Sequence, residues 1–284
     1  ESGLKYVMMF FKQMRTAAFV GCLGLAVLPL CAQEPGRSQA QSRSVWMEDL
    51  TWVELKAQID AGHTAVILPT GGLEQNGPYI TLGKHNHVVA YVAQEIATAL
   101  GHTLIAPVLR VVPQGPMDKP SGNLLFPGTM AMRDDTFDRV LQDMVLSLAY
   151  AGFKRVYLIG DHGQSQHIQA QVAQRMADVL KPVGVRVLHV QSYYQPEMEE
   201  AYLARQGIAQ ADQGEHAGVS DTAQIWAVYP DAVRQGALLA RGSQHPAAQG
   251  MSGRPELATP KLGRELLNLR IKAAVDEIRK QEQR

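Results

Sequence analysis

The chain has 284 residues, 46% of them hydrophobic and 19% charged, with 27 basic and 27 acidic side chains that cancel. That length serves one large domain or two small ones. A neutral chain without a basic stripe excludes the electrostatic footprint of a nucleic-acid binder, so no nucleic-acid partner is expected.

Lys12 and Arg15 precede an apolar run from Ala17 to Leu30, then Cys31-Ala32 and a polar stretch. A basic flank, a short apolar centre and a small residue at the cut describe a secretory signal peptide over 1–32. The run has about 14 residues where a bilayer span needs roughly 20, which leaves an uncleaved anchor as the alternative. Both cysteines, Cys22 and Cys31, fall inside this segment. The mature chain is then cysteine-free, which suits an oxidising compartment and removes thiolate catalysis and thiolate metal ligands. A periplasmic or secreted protein is expected, with no membrane contact after cleavage.

Residues 33–44 (QEPGRSQAQSRS) read as a linker, and residues 45–284 as one domain. Thr51 and Glu54 have the spacing of a capping box at a helix start. Ala65-Val-Ile-Leu-Pro69 is a short continuous apolar run, the pattern of a strand buried on both faces. A glycine-rich loop over 70–86 follows, then helical periodicity over 87–100 closed by Gly101. Residues 104–112 read as a strand and 113–131 as a second long loop. A strongly amphipathic helix runs from Asp134 or Asp135 to Ala151, before a buried strand over 155–160. Helix 165–180, strand 185–190, helices 197–205 and 219–229, and a last helix from about Lys261 complete the chain. Such alternation predicts an α/β fold: three α/β/α layers around a mostly parallel sheet. In these folds ligands bind outside the carboxyl ends of the strands. That rule directs attention to 69–87, 113–131 and 160–166.

The first of these loops holds Glu74, His85 and His87 among glycines; the third holds Asp161 and His162. A later glycine-flanked cluster carries Glu215, His216 and Asp221. Singly, each reads as a solvated loop residue or a cap, and Asp161 reads equally as the cap of the next helix. Together they place imidazoles and carboxylates on one sheet edge. Neutral imidazole with carboxylate is a ligand set for zinc, manganese or iron.

These residues resemble the creatininase (creatinine amidohydrolase) family. Its first motif, G-x-x-E-Q-H-G-P-H-L-P-L-G-x-D, aligns with Gly71-Gly-Leu-Glu74-Gln-Asn76-Gly-Pro-Tyr79-Ile-Thr-Leu-Gly83-Lys-His85. The F-P-G-T motif stands as Phe126-Pro127-Gly128-Thr129. Gly152-Phe153 through Val156 to Asp161-His162 resembles the strand-end motif closing in N-G-H, with its order altered. His216-Ala-Gly218-Val-Ser-Asp221-Thr222 is similar to H-(A/G)-G-x-x-E-T. The likeness spans roughly residues 48–235.

The resemblance implies a metal hydrolase, binuclear in its usual form. One metal takes the first-motif Glu, the Asp eleven residues on and the strand-end His. The second takes the first-motif His, the shared Asp and an acid two residues after the strand-end His. Here Glu74 and His162 are kept, His85 replaces the shared Asp, and Asn76 and Gln164 replace the other ligands of the second ion. Amide side chains are weak zinc ligands, so one ion is expected on Glu74, His85 and His162: Zn2+, with Mn2+ or Fe2+ as alternatives. The resemblance places His216, Asp221 and Glu215 on the substrate side, His216 as general acid or base with Asp221 orienting it or taking protons itself. The expected substrate is a small cyclic amide. Creatinine itself is disfavoured, because Asp212-Gln213-Gly214 precedes Glu215 without a tryptophan. Hydrolysis of a lactone or of a sugar-ring C–C bond is a further option. A non-catalytic small-molecule or metal-binding protein on the same fold is the competing reading, and a homo-oligomer is a further implication. His87 is the reserve ligand; His102, His167 and His189 read as structural.

Overall fold

The computed structural model describes residues 44–239 and 249–283. Residues 1–43, with the expected signal segment and nearly all of the linker, lie outside the described residues. No helix among the described residues is long and apolar enough to cross a membrane.

Four parallel strands form the sheet: β1 (Ala65–Thr70), β2 (Thr103–Ile105), β3 (Arg155–Gly160) and β4 (Arg186–His189), in the order β2-β1-β3-β4. Ala65 pairs with both Thr103 and Arg155, and Arg155 with Arg186. Alternate side chains of a strand point to opposite faces, and the two cores follow that parity. Val66, Leu68, Leu104, Val156 and Leu158 face α3 (Asp134–Ala151) and α4 (Gln166–Leu180), through Phe137, Leu141, Val145, Ile168 and Val172. Ala65, Ile67, Ile105, Tyr157 and Ile159 face α2 (Lys84–Leu100), α6 (Val219–Val228) and α7 (Pro260–Glu282). The expected three layers around a parallel sheet are thus observed. The capping box is present: Thr51 caps α1 (Trp52–Asp60), and Glu54 returns a bond to the Thr51 backbone. A satellite core joins α5 (Pro196–Arg205) to α6 and α7 through Leu203, Val219, Ala223 and Leu266.

Two expectations need correction. The strand over 104–112 is three residues long. Pro107 has no N–H to donate, and beyond it the chain keeps only isolated bridges, Thr70 to Leu109 and Val112 to Ala131. The second correction bears on the site. Helix α2 begins at Lys84, so His85 belongs to a helical first turn and not to the loop. The apolar periodicity starts only at Val88. A polar first turn carries no hydrophobic signal, and its capping position is Gly83, which offers no side chain.

Candidate metal centre and cleft

The carboxyl ends of β1 and β3 lie side by side, with Thr70 opposite Gly160. The chain leaves β1 through Gly71, where a Cβ would fall 2.0 Å from Asn86 Oδ1. Glycine is therefore required for the loop to lie against α2, and the Gly72 N–H donates to the same Asn86 oxygen at 3.1 Å. This close approach sets Glu74 beside the first turn of α2. From β3 the chain delivers Asp161 and His162 directly.

The three expected ligands come together. Glu74 is 1% exposed. Its Oε1 lies 2.7 Å from His85 Nε2, and its Oε2 lies 3.0 Å from His162 Nε2. One donor atom from each residue lies within 4.8 Å of the others. A tetrahedral ion with bonds of about 2.0 Å separates its donors by roughly 3.3 Å. Small outward shifts of Glu74 admit one, and one carboxylate with two imidazoles is a donor set that suits it.

The surroundings orient and charge the set. His85 Nδ1 lies 2.7 Å from Asp161 Oδ2, so a carboxylate anchors the ring and turns Nε2 toward Glu74. Tyr193 donates to Asp161 Oδ1 at 2.6 Å, and Arg270 from α7 donates at 2.5 Å. Burial alone would raise the Asp161 carboxyl, but Arg270 and His85 hold it below its usual range. Burial likewise opposes the Glu74 charge. His85, together with hydrogen bonds from His162, His216 and His85, outweighs it and leaves Glu74 far below the carboxylate range. Burial pushes His162 down, keeping its imidazole neutral as a ligand must be. His85 is raised despite its burial and Lys84, because Glu74 and Asp161 face it from two sides.

The substrate-side cluster lies across the same cleft, whose lining includes Glu74, His85, His162, Glu215, His216 and Asp221 and whose volume is about 720 Å³. His216 Nδ1 is 3.7 Å from Glu74 Oε1, with the side chain 37% exposed. His216 and Ala217 have φ of 49° and 78°. Consecutive non-glycine residues in the left-handed region are strained, and such strain gathers at functional sites. The Ala217 N–H donates to Asp221 Oδ2 at 3.1 Å, so the turn that presents His216 is tied to the first turn of α6. The partners found for Asp221 are this N–H and Lys84 Nζ at 2.8 Å. Glu215 is exposed at the cleft rim, its N–H donating to Ser252 Oγ at 2.9 Å.

Among the substituted positions, Asn76 is buried with its amide donating to the Glu74 carbonyl at 3.0 Å, and Gln164 lines the cleft. The reserve ligand His87 stacks on Tyr229 with ring centroids 4.3 Å apart. His189 Nε2 lies 3.0 Å from Gln166 Oε1, and the His102 ring meets His63 edge-on. The sequence reading missed Lys84, Asn123, Tyr193 and Arg270. Asn123 donates to Glu74 Oε2 at 2.7 Å from within the long loop the strand-end rule had marked. Lys84 and Arg270 carried no signal: one adjoins a candidate ligand, and the other lies on a distant helix.

The creatininase family model, described as creatinine amidohydrolase, matches residues 48–278. The chain is 29% identical over 212 residues to a creatinine amidohydrolase of Pseudomonas putida, covering 73% of this chain and 79% of that one. A 3-dehydro-scyllo-inosose hydrolase of Thermotoga maritima is 26% identical over 99 residues, covering 35% of this chain and 30% of that protein. The crystal structure of a creatinine amidohydrolase superposes with a TM-score of 0.68 at 26% identity, covering 84% of this chain and 98% of the other. A zinc–zinc form of a creatininase variant superposes at 0.69 and a manganese creatininase at 0.68, both 26% identical and covering 84% of this chain and 99% of theirs. With the family model spanning the described domain from Glu48 to Ile278, the chain belongs to the creatininase family.

Proposed function

We propose that this protein is a metal-dependent amidohydrolase that opens a small cyclic amide at its C–N bond, using one divalent ion on Glu74, His85 and His162. The observation that carries the reading is the convergence of these three side chains at the cleft, with His85 backed by Asp161. When bound, the ion supplies Lewis acidity, polarising an amide carbonyl and acidifying water. His216, part-exposed on a strained turn, takes a proton from the attacking water and returns one to the leaving nitrogen. Asp221 holds that turn through the Ala217 N–H. Asn123 fixes the Glu74 carboxylate. Glu215 at the rim offers an acceptor to substrate N–H groups.

The replacement of carboxylate or imidazole by amide at Asn76 and Gln164 favours a single ion, because amides are weak zinc ligands. Zn2+ is the first choice for a carboxylate and two imidazoles. The reading extends to export, through the apolar segment at Ala17–Leu30, and to a homo-oligomer.

The test is turnover of a panel of cyclic amides and lactones by metal-loaded and chelated protein, beside His162→Ala. Amide turnover that vanishes on chelation, returns with Zn2+ or Mn2+ and is absent in H162A supports the proposal. Turnover indifferent to chelation overturns it. Bound metal with no turnover on any substrate favours the binding-protein reading.

A further inference from the structure

Lys84 faces the candidate site from the first residue of α2, and nothing in the mechanism above uses it. Its side chain is 3% exposed. Nζ lies 2.8 Å from Asp221 Oδ1 and 3.6 Å from Glu74 Oε1. The other oxygen of Asp221, Oδ2, accepts the Ala217 N–H at 3.1 Å. One carboxylate thus joins the first turn of α2, which carries His85, to the left-handed turn that carries His216. A strained turn persists only where its surroundings over-determine it. Two other ties act on this one. Thr222 Oγ1 donates to the Ala217 carbonyl at 3.1 Å, and the Ser252 N–H donates to the Glu215 carbonyl at 3.0 Å. Neither reaches α2. Asp221 also feels the like charge of the Glu74 carboxylate, which Lys84 offsets. Without the ammonium, the Asp221 side chain, 28% exposed, gains by turning to water and releasing the Ala217 N–H.

We propose that Lys84 is a positioning residue: its ammonium clamps Asp221, and through Asp221 it holds the His216 turn in place beside the candidate metal ligands. The inference rests on the role given to His216 above. His216 Nδ1 stands 3.7 Å from Glu74 Oε1, the same oxygen that Lys84 faces. The imidazole and the ammonium are thus set against one carboxylate from two separate elements. Burial would push the ammonium toward neutrality, yet Asp221 and Glu74 raise it above the ordinary lysine range, so the clamp stays charged. With one oxygen on Lys84 and the other on the Ala217 N–H, Asp221 acts as the anchor of the turn.

Amide hydrogen exchange at Ala217, read by NMR on the purified protein with excess Zn2+, reports the clamp without any substrate. Lys84→Met is expected to speed that exchange about tenfold or more, while the amides of β1 and β3 keep their wild-type rates. Lys84→Arg is expected to restore protection to within about threefold of wild type. Asp221→Ala should speed the exchange as much, and adding Lys84→Met to it should change nothing further, because the two act as one unit. On the cyclic amide of the panel above that is turned over fastest, Lys84→Met should lower kcat about tenfold or more. KM, and Zn2+ affinity by competition with a chelating dye, should stay within about threefold of wild type. If Lys84→Met does not fold by circular dichroism, Lys84→Gln replaces it with the same expectations. Wild-type exchange at Ala217 in either folded variant overturns the inference. Faster exchange with an unchanged kcat reduces Lys84 to a structural tie and overturns it as well. So does a marked loss of Zn2+ affinity, which would place the effect of Lys84 on the ligand set instead. A wild type that turns over no cyclic amide overturns the amidohydrolase reading, while exchange at Ala217 still decides the clamp.

Discussion

The two faces of the sheet are held by different physics. Toward α3 and α4 the packing is mainly apolar, with Phe137, Leu141, Val156, Leu158 and Val172 fully buried and a buried Gln169–Ser165 hydrogen bond beside the end of β3. Toward α2, α6 and α7 the apolar core gives way, at the carboxyl ends of the strands, to a buried ionic chain running Lys84–Glu74, Lys84–Asp221 and Asp161–Arg270–Glu199. Ser220 and Gln224 of α6 complete Glu199, so its carboxylate is satisfied from three directions. Burying ions stabilises a fold no better than hydrophobic packing of the same volume, and removing one partner is expensive. The apolar layer therefore supplies stability, while the other layer spends some of it to hold a preorganised charge arrangement.

The sharpest way to break this contrast is Arg270→Met. It strands Asp161 and Glu199, and a loss of about 3–5 kcal/mol in urea unfolding is expected, together with weaker metal binding because Asp161 no longer anchors His85. Phe137→Ala attacks the opposite layer. A comparable loss of about 3–5 kcal/mol is expected from the cavity, but metal affinity and turnover per folded molecule should stay at wild-type values. Equal damage to turnover by these two variants would erase the distinction between the layers. Asp161→Asn sharpens it further. The fold should survive, while metal affinity measured by competition with a chelating dye falls about 10–100-fold, the usual effect of losing a carboxylate behind a ligating histidine. The smallest effect is expected at the other end of α7. There Glu282 pairs with Arg155 at 2.8 Å and accepts from Tyr157 Oη at 2.6 Å. Glu282→Gln should cost no more than about 1 kcal/mol in thermal unfolding, because the pair is partly solvated, and should leave metal binding alone.

The apolar layer was almost entirely legible in the sequence. The strand run Ala65–Pro69, the periodicity of α3 and the stop at Gly152 are local signals, each written in consecutive residues. The candidate ligand set was also legible, because Glu74 and His162 lie in the segments that follow β1 and β3 and His85 stands where a motif expects a ligand. What the sequence misplaced was His85's backbone, since a polar first helical turn leaves no periodic trace. What it could not contain was the company these ligands keep. Asp161 reads in the sequence as a possible cap and is in the structure the carboxylate behind His85, 2.7 Å from its Nδ1. Arg270 is 109 residues further along the chain, on a helix whose pattern says only that one face is buried. Charge pairing between distant elements depends on distances of a few ångströms, which no spacing in the chain encodes. By itself the sequence determined the layers, the sheet edge and the three candidate ligands. The tertiary structure alone decided that Lys84 and Arg270 would lie among four carboxylates, because the packing of α6 and α7 against α2 brings those charges out of water together.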